Sequence, residues 1–485
     1  NSYAAIDITL VESSAAIDEV VVVGYGQQKR VNVTGAVGTI SGKDLNNRPV
    51  TNTAAALQGA DPSLLLTLGS GSIEGKNYDV KIRGAVSLNS GSPLVLVDGI
   101  EASLAQVNPN DIESVSVLKD ASACSIYGAK ASAGVVLITT KSGKAGTLKV
   151  NYNGRYGVSW NTTSTDFITS GYDYVKLTNE FCYPSKGYVG WNYTDEEMQM
   201  LYDRRNDKTE HPDRPWVKID QRDGRDTYVY YGNTDWYHYL FKDEHPNTSH
   251  SISLSGGNDR VDYLLSGSYY SEEGLFRQHP DKLQKITFRS KITFDINKWL
   301  KVSNNTSYYN YKYFYPGPSD VNTAFSWSTV HGLASFVPVN PDGTSVYNTS
   351  FSNYQIMDGL PTILNKDGHT NDDHTDNMST TTELTWTPVK GLEIKGNFTY
   401  MFNTTRYTNR QVNTEYSQYP GEINTLTSGK MEDKLYEKSM THTYYQANLY
   451  GTFERTFARD HNFKAMVGFN WETKFLKDVA ATGYN

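Results

Sequence analysis

Residues 147–160 read TLKVNYNGRYGVSW, and the alternation in this stretch decides the fold of most of the chain. One side of an extended backbone here carries Val150, Tyr152, Tyr156, Val158 and Trp160. The other side carries Asn151, Asn153, Arg155 and Ser159. Successive side chains of a strand point to opposite faces, so the pattern predicts a β-strand with one apolar and one polar face.

The same alternation returns further along the chain, most clearly at 286–296, 392–402 and 463–472. In these runs Ile292 and Phe398 are on the apolar side, while Lys291 and Asn397 are on the polar side. The period-2 test predicts about nine such strands. Each is about 10 residues or longer, which is the length that a tilted membrane strand needs.

The connections between these strands alternate in length. Short turns at 256–260, 297–298, 388–391 and 458–461 separate longer connections at 161–247, 271–282, 314–377 and 404–438. Outer-membrane barrels have short periplasmic turns and longer outside loops, whereas a soluble sandwich has no reason to alternate in this way. We therefore expect an antiparallel transmembrane β-barrel. Plugged barrels have 22 strands, so about nine strands would be the first part of one.

The residues before this repeat predict a different domain. Residues 31–146 contain short strand candidates at 80–82, 93–98, 113–118 and 134–139 and helix candidates at 53–58 and 120–128, which is typical of a compact α+β domain. Residues 15–30 hold a small-residue linker and a strip of valines. Residues 1–14 hold one alternating strand, which we expect to be the tail of a preceding β domain. The barrel part is then 147–485.

Composition agrees with this division without proving it. Of 485 residues, 38% are hydrophobic and 20% are charged, and no apolar run approaches the roughly 20 residues of a membrane helix. Barrel strands need no such run. The 36 tyrosines suit positions where one end of the ring is apolar and the other is wet. The net charge of −8 argues against nucleic acid as a partner.

Several sequence motifs of the first domain resemble those of a known protein family. They are DEVVVVGYGQQKR at 18–30, VTGAV at 33–37, KIRG at 81–84, PLVLVDG at 93–99, and IESVSVLKDASACSIYGAKASAGVVLITTKSG at 112–143. Their order and spacing are similar to those of the SusC-like TonB-dependent outer-membrane transporters of Bacteroidetes. The sequence departs from the family pattern in two ways: the barrel stops early, and the usual closing aromatic C-terminal strand is absent.

The resemblance implies a plug domain at 31–146 inside a barrel that actively imports oligosaccharides or peptides, with no cofactor and no catalytic site. It implies TonB, with ExbB and ExbD, as the energy source and a SusD-like lipoprotein as a lid over the long loops. It also admits a dimer of transporter–lipoprotein pairs. The strand at 1–14 resembles the end of a carboxypeptidase-regulatory-like domain.

The resemblance places the Ton box, the segment that TonB grasps, in the strip Asp18, Glu19, Val20, Val21, Val22, Val23, Gly24 and Tyr25. Valine favours extended backbone, and an extended segment can add a strand to a partner sheet. The two acids discourage pairing of such an edge with itself. A buried strand of the plug is the alternative, because continuous valine suits it equally well.

The resemblance also implies that plug charges, Arg83 above all and Glu113 beside it, pair with carboxylates of the barrel wall and lock the plug in place. Ordinary ion pairs at strand ends are the alternative for both residues.

The long loops are rich in aromatic residues. Rings of these types are enriched at interface hot spots, so a docked lid would account for them. Long loops also close on themselves, and self-packed loops are the alternative. The residues concerned are Trp191, Trp216, Trp236, Tyr239 and Tyr347.

Other candidate sites are weak. GSGSIEG at 69–75 lacks the ending of a phosphate loop. The spacings of His238, His245 and His250 match no common zinc pattern, so we expect solvated loop residues. Cys124 and Cys182 allow one bridge or two free thiols. Functional alternatives are a lidless importer of metal chelates, siderophores or cobalamin and, in another class, a passive porin or a surface adhesin.

Overall fold

The structure is a computed structural model. It describes residues 20–23, 26–29, 37–46, 48, 50, 52–68, 73, 78–84, 91–120, 124–162, 164–187, 191–316, 332–347, 360–364, 366–426, 433–457 and 461–484. The chain divides into two compact units. The first comprises Asn1–Gly69 and Gly75–Gly143, and the second comprises Ser70–Glu74 and Lys144–Asn485.

The first unit is an α+β domain. Its strands are β1 (Val20–Val23), β2 (Gly26–Lys29), β3 (Val37–Ser41), β4 (Leu64–Leu68), β5 (Tyr78–Ile82), β6 (Leu94–Val97), β7 (Ile100–Glu101), β8 (Ile112–Leu118) and β9 (Val135–Thr140). Its helices are α1 (Gly42–Asn46), α2 (Thr53–Leu57) and the 3-10 helices η1 (Leu104–Gln106), η2 (Pro109–Asp111) and η3 (Ser125–Ala131). Five strands form one sheet in the order β3-β8-β9-β6-β7, in which only the β6–β9 pair is parallel.

The core of this unit explains its strands. Val115, Val117 and Val136 at the sheet centre are completely buried, as expected for runs of β-branched residues covered on both faces. Asn52 caps α2 by accepting a hydrogen bond from the Ala54 amide at 2.8 Å. At Gly42, a Cβ would lie 2.1 Å from the Ile112 carbonyl oxygen, so only glycine lets α1 approach β8.

The structure confirms the four predicted plug strands within one or two residues and the helix at 53–58, which ends at Leu57. The predicted helix at 120–128 is wrong. Among the residues described there, the Cys124 amide donates an α-type hydrogen bond to the Asp120 carbonyl, and a 3-10 helix, η3, follows from Ser125. Gly128 does not end it: its φ of 61° and ψ of −148° kink the chain within η3.

The second unit is built on nine long strands: β10 (Gly146–Trp160), β13 (Glu244–Gly257), β14 (Val261–Glu273), β15 (Lys282–Asn297), β16 (Leu300–Tyr315), β17 (Thr370–Val389), β18 (Leu392–Gln411), β21 (Lys434–Phe457) and β22 (His461–Tyr484). They form one antiparallel sheet in chain order. Two small hairpins pair β11 (Val217–Arg222) with β12 (Arg225–Tyr230) and β19 (Glu415–Tyr416) with β20 (Asn424–Thr425). The helices are α3 (Gly171–Lys186), α4 (Asp195–Arg204), α5 (Trp236–Leu240) and α6 (Leu360–Leu364).

The predicted count of nine strands and the alternation of short and long connections are confirmed. Some strands extend beyond the residues whose apolar–polar alternation predicted them. The last long connection, predicted at 404–438, is only 412–433, because β18 and β21 keep pairing through polar residues as far as Gln411 and Lys434. Main-chain hydrogen bonds alone extend a ladder, so its ends carry no hydrophobic signal.

The two faces of the sheet differ as the alternation predicts. On the face of Phe398, large apolar side chains are exposed: Ile286, Phe288, Phe294, Phe402 and Leu449 are 39–55% exposed. Among the described residues, no helix is long and apolar enough to cross a membrane.

Candidate functional site

The described residues of the three long connections of the sheet pack together, and we call them the loop body; they lie within 161–243, 316–369 and 412–433. Its core is aromatic. Trp191 lies 5.6 Å from Phe336 and Tyr230 lies 4.8 Å from Phe336, measured between ring centroids. Such offset and tilted rings add stabilisation beyond the area that they bury.

The core of the loop body continues onto one face of the sheet. Tyr309, Tyr311, Tyr313 and Tyr315, which alternate along β16, are 1–8% exposed and belong to the same buried cluster. We call this covered face the inner face and the face of Phe398 the outer face. The loops therefore fold back over the end of the sheet instead of projecting from it.

Polar contacts join the three loops to one another. The Tyr228 hydroxyl donates to Asp342 at 2.7 Å, and burial together with this carboxylate raises the pKa of Tyr228 to about 12. The Asn340 amide donates to the Ser417 carbonyl at 3.4 Å.

A further contact joins the connection at 161–243 directly to the connection at 412–433. The Arg225 guanidinium stacks 3.5 Å from the Tyr419 ring centroid and pairs with Glu422. The loop body is thus held as one piece by contacts between residues up to 197 positions apart in sequence.

The loop aromatics predicted as lid contacts are mostly inside this core. Trp191 is 2% exposed and Trp236 is 5% exposed, whereas Tyr347, at 6%, is buried in a separate small cluster with Ile363 and Leu426. Trp216 and Tyr239 are partly buried and pack against the same cluster. For Trp191 and Trp236 the structure therefore favours the alternative of self-packed loops, because a side chain already covered by its own loop has no area left for a partner.

The sequence analysis missed a different set of rings that is exposed. Phe181 and Tyr183 near the end of α3 are 74% and 65% exposed, and Tyr202 on α4 is 44% exposed. Leu177, Lys176 and Glu180 line an open groove of about 430 Å³ along the same helix. No sequence pattern separated these rings from the buried ones, since the two kinds alternate within one aromatic-rich segment.

The valine strip lies partly outside the described residues, because Asp18, Glu19, Gly24 and Tyr25 are not described. Val20–Val23 forms β1, which pairs antiparallel only with β2, Gly26–Lys29. The strip is extended, as its composition predicts, and within the described residues it is not a strand of the five-stranded plug sheet.

Arg83 has a partner within its own unit. Its Nη2 atom lies 2.9 Å from Oδ1 of Asp120, and the two side chains are 53% and 33% exposed. Arg83 also has a φ of 59°, which a residue with a Cβ rarely adopts. The sequence analysis placed residue 120 only at the start of the helix candidate 120–128, so the pairing of Asp120 with Arg83 was not predicted. Glu113 is an exposed residue of β8.

A buried pair lies next to this one. Lys119 Nζ lies 3.0 Å from Asp61, whose side chain is only 8% exposed. Burial opposes ionisation of Asp61, but hydrogen bonds from Ser63 and Lys119 outweigh it and hold the pKa of this carboxyl below its ordinary value. Lys119 and Asp120 are consecutive in sequence, and each pairs with a residue from a different loop of the plug, Asp61 and Arg83 respectively.

We expect Arg83→Ala and Asp120→Asn each to lower the free energy of unfolding by about 0–1 kcal/mol, as for other exposed ion pairs. Denaturant unfolding of the purified protein measures this. A clearly larger loss for Arg83→Ala than for Asp120→Asn would reveal a further partner of Arg83, such as the barrel-wall carboxylate that the sequence led us to expect.

The remaining candidates from the sequence, which are the histidines, the cysteines and the GSGSIEG segment, form no binding or catalytic site among the described residues. The expectation of solvated loop histidines is wrong for His245 and His250, which lie on β13, and His245 is 8% exposed. The strand starts earlier than predicted, because Glu244 already pairs with Trp160. Cys124 is a buried free thiol. GSGSIEG lies outside the described residues except for Ile73. In the described part of the chain, no three His, Cys, Asp or Glu side chains are arranged to hold a metal ion.

The family described as TonB-dependent Receptor Plug Domain matches residues 29–135. The TonB-dependent receptor SusC of Bacteroides thetaiotaomicron is 31% identical over 314 residues, which cover 61% of this chain and 27% of SusC. The chain is similar to the SusC-like TonB-dependent receptors. TonB-dependent receptor P26 of Formosa agariphila is 30% identical over 308 residues, covering 62% of this chain and 28% of P26.

Solved structures extend the likeness to the strands of this SusC-like chain. The RagAB peptide importer in the open-open state matches with a TM-score of 0.72 and 26% identity over 96% of this chain and 50% of the other. The ferric citrate transporter FecA, unliganded, has a TM-score of 0.51 and 11% identity over 93% of this chain and 49% of its own, so it shares the fold alone. The chain spans little more than a quarter of the curated relatives that it matches and about half of the RagAB chain.

Proposed function

We propose that this chain supplies the plug and the first nine strands of an outer-membrane importer that is energised through TonB with ExbB and ExbD. The observation that carries the proposal is the order of parts. An α+β plug is followed by an antiparallel sheet that has one exposed apolar face and a body of interlocked loops on the other. A sheet in contact with lipid needs such an apolar band.

The outer face has the layering of a membrane surface. Exposed Trp299 lies in the short turn between β15 and β16, and exposed Trp386 lies near the end of β17 that meets β18 in a short turn. Exposed Tyr156 and Trp160 lie towards the opposite end of β10. Aromatic girdles border the apolar band of outer-membrane barrels on both sides. The short turns would then be periplasmic and the loop body external.

The strip Asp18–Tyr25 is the proposed coupling segment. Support comes from the extended backbone of Val20–Val23 and from the place of these four residues outside the five-stranded sheet of the plug. An edge that pairs with only one short strand can exchange that strand for one of TonB by main-chain hydrogen bonds. Locking of the plug by Arg83 and Glu113 through the barrel wall stays a proposal, beside the Asp120 pair already described.

The cargo that we propose is an oligosaccharide or a peptide, delivered under a SusD-like lipoprotein lid. The curated relative SusC and the RagAB peptide importer support this class over the other transporters. The second candidate is a lidless importer of siderophores or cobalamin, to which FecA is similar in fold alone. A passive porin has no use for a separate plug unit or a coupling strip.

Phe181, Tyr183 and Tyr202 are the loop residues best placed to contact a lid, since they are exposed on the external loop body. We expect Phe181→Glu with Tyr183→Glu to release a lipoprotein that co-purifies with the native protein from its own outer membrane. Ile219→Glu, at another exposed apolar position of the loop body (57% exposed), is the matched control and should retain it. A transporter that purifies alone and still imports its cargo would favour the lidless candidate.

A further inference from the structure

The connection between β14 and β15, residues 274–281, is short, but it grips the loop body, and we call it the strap. Phe276 in the strap is completely buried in the core of the loop body. Its ring centroid lies 5.4 Å from that of Phe241 and 5.5 Å from that of Tyr315. The strap therefore anchors the loop body to the end of the sheet through an aromatic contact.

The strap also holds the C-terminal end of α5. Arg277 donates three hydrogen bonds to main-chain carbonyl groups there, at 2.8–3.1 Å, and the Gln278 carboxamide donates a fourth at 2.9 Å. The last carbonyl groups of a helix have no partner within the helix, and a cation beside them is favourable. The strap and α5 should therefore stay together or separate together. The four acceptors are the carbonyl groups of His238, Tyr239, Leu240 and Phe241.

The last residue of the strap, Asp281, is a buried carboxylate with few partners. It is 1% exposed, and its Oδ2 atom lies 3.3 Å from the Tyr313 hydroxyl. Its Oδ1 atom accepts no well-aligned hydrogen bond from the described residues. A Cβ at Gly274 would collide with Oδ1, so the carboxyl packs directly against the first residue of the strap. Because a buried charge is costly unless it is paired, the docked strap favours a protonated Asp281.

The titration of Asp281 follows from this burial. Burial raises the pKa of this carboxyl from 3.8 to about 6, against the opposing effects of nearby main-chain N–H groups and of the Tyr313 hydroxyl. The docked state thus binds the proton more tightly than an exposed strap does. Docking therefore has its full stability below about pH 3.8 and loses this contribution as the pH rises through about 6.

Two histidine contacts at the strap have the same pH dependence. His279 Nε2 in the strap lies 3.4 Å from Asp367 of the loop body. In α5, the ring nitrogens of His238 lie 2.7 Å from Asp235 and 3.3 Å from Asp243. An imidazole forms an ion pair with a carboxylate only while it is protonated. These pairs therefore weaken over the same rise in pH that ionises the buried carboxyl.

The other charged groups around the strap do not reverse this direction. Glu272 on β14 and Asp281 repel each other when both are ionised, which favours a proton on one of them. His245 on β13 lies 3.5 Å from Glu272 and is a third imidazole–carboxylate contact. Glu273 lies 3.7 Å from Lys242. Lysine and arginine side chains keep their charge between pH 5 and pH 8, so they add no pH dependence of their own. Those near the strap are Lys242, Arg277, Lys282 and Lys285.

We propose that the strap is an acid-stabilised latch, which holds α5 in the core of the loop body in mildly acidic surroundings and releases it as the surroundings become alkaline. A buried carboxyl and two histidine pairs, on different elements, all act in the same direction. The inference rests on the proposed function in placing the loop body outside the cell, where the latch meets the external pH. It adds a way to regulate how firmly the loop body is closed.

The test is amide hydrogen exchange of the whole protein in outer-membrane vesicles at pH 5 and pH 8, with rates corrected for the intrinsic effect of pH. The reporters are the Lys242 amide, which donates to the Leu275 carbonyl at 2.7 Å, and the Arg277 amide, which donates to Leu240. A shift of the Asp281 pKa from 3.8 to about 6 predicts roughly tenfold more frequent opening at pH 8. The hairpin of β11 and β12 is the internal reference and should not change. Equal or less frequent opening at pH 8 would overturn the latch.

A matched pair of variants assigns the effect to the buried carboxyl. Asp281→Asn removes the titrating group and should reduce the rise in opening between the two pH values to less than threefold. Asp223→Asn removes the same charge at the exposed tip of the β11–β12 hairpin, where a φ of 52° suits asparagine, and should keep the full rise. The ratio between the two pH values decides even if Asp281→Asn opens more often at both. A full rise in Asp281→Asn would overturn the proposal.

A separate arm tests the location on which the latch depends. An epitope inserted at residues 223–224 should be detected by antibody on intact cells. An epitope that is detected only after the cells are broken would contradict the proposed function, and with it the external setting of the latch. The exchange ratios would still decide whether the strap opens with rising pH, so the two failures can be told apart.

Discussion

Deletion of Asp18–Tyr25 should abolish energised uptake while binding of cargo at the cell surface stays near normal. The described part of the strip belongs neither to the loop body nor to the nine-stranded sheet, whereas the pull of TonB would act through it. The measurement is accumulation of labelled cargo by cells that carry the deletion, beside surface binding by the same cells with their energy supply removed.

The matched pair of point variants is Val21→Pro and Val21→Thr. Proline removes a main-chain donor from the strip, whereas threonine keeps both the donor and the β-branched preference for extended backbone. We expect loss of uptake with proline and retention with threonine. Uptake that survives both the deletion and the proline would remove the coupling role from this segment.

Phe398→Arg should lower the free energy of unfolding in bilayers by about 2–4 kcal/mol, because it places a charge on the outer face near the middle of the membrane band. Lys291→Gln on the inner face is the control and should change it by no more than about 0.5 kcal/mol. Reversible unfolding from lipid vesicles measures both. If the two variants cost the same, or if the control costs more, the assignment of the two faces is wrong by one residue.

The strands could be predicted because their signal is local. Val150, Tyr152 and Tyr156 are separated by even numbers of residues, and that spacing alone places them on one face. Short turns such as the one predicted at 297–298 add a length signal that needs no tertiary information. The same reasoning failed at Gln411 and Lys434, where main-chain pairing continues without hydrophobic alternation.

The loop body could not be predicted in this way. Tyr228 bonds to Asp342 across 114 residues, and Arg225 reaches Glu422 across 197 residues, so no window of sequence contains both partners. For the same reason Trp191 and Phe181, ten residues apart in one aromatic-rich segment, gave the same signal although one is buried and the other is exposed. The pair of Arg83 with Asp120 was missed because each residue had been interpreted only in its own segment.

The central claim is that TonB drives this chain through its valine strip. The most direct test is a disulfide, formed in living cells, between Val21→Cys in the whole protein and single cysteines along the edge strand of the TonB C-terminal domain, with Cys182 replaced by Ser. The account predicts a covalent TonB adduct whose yield rises when cargo is present and which is absent for a cysteine at Leu449 on the outer face. Efficient uptake without any TonB adduct at positions 20–23 would contradict it.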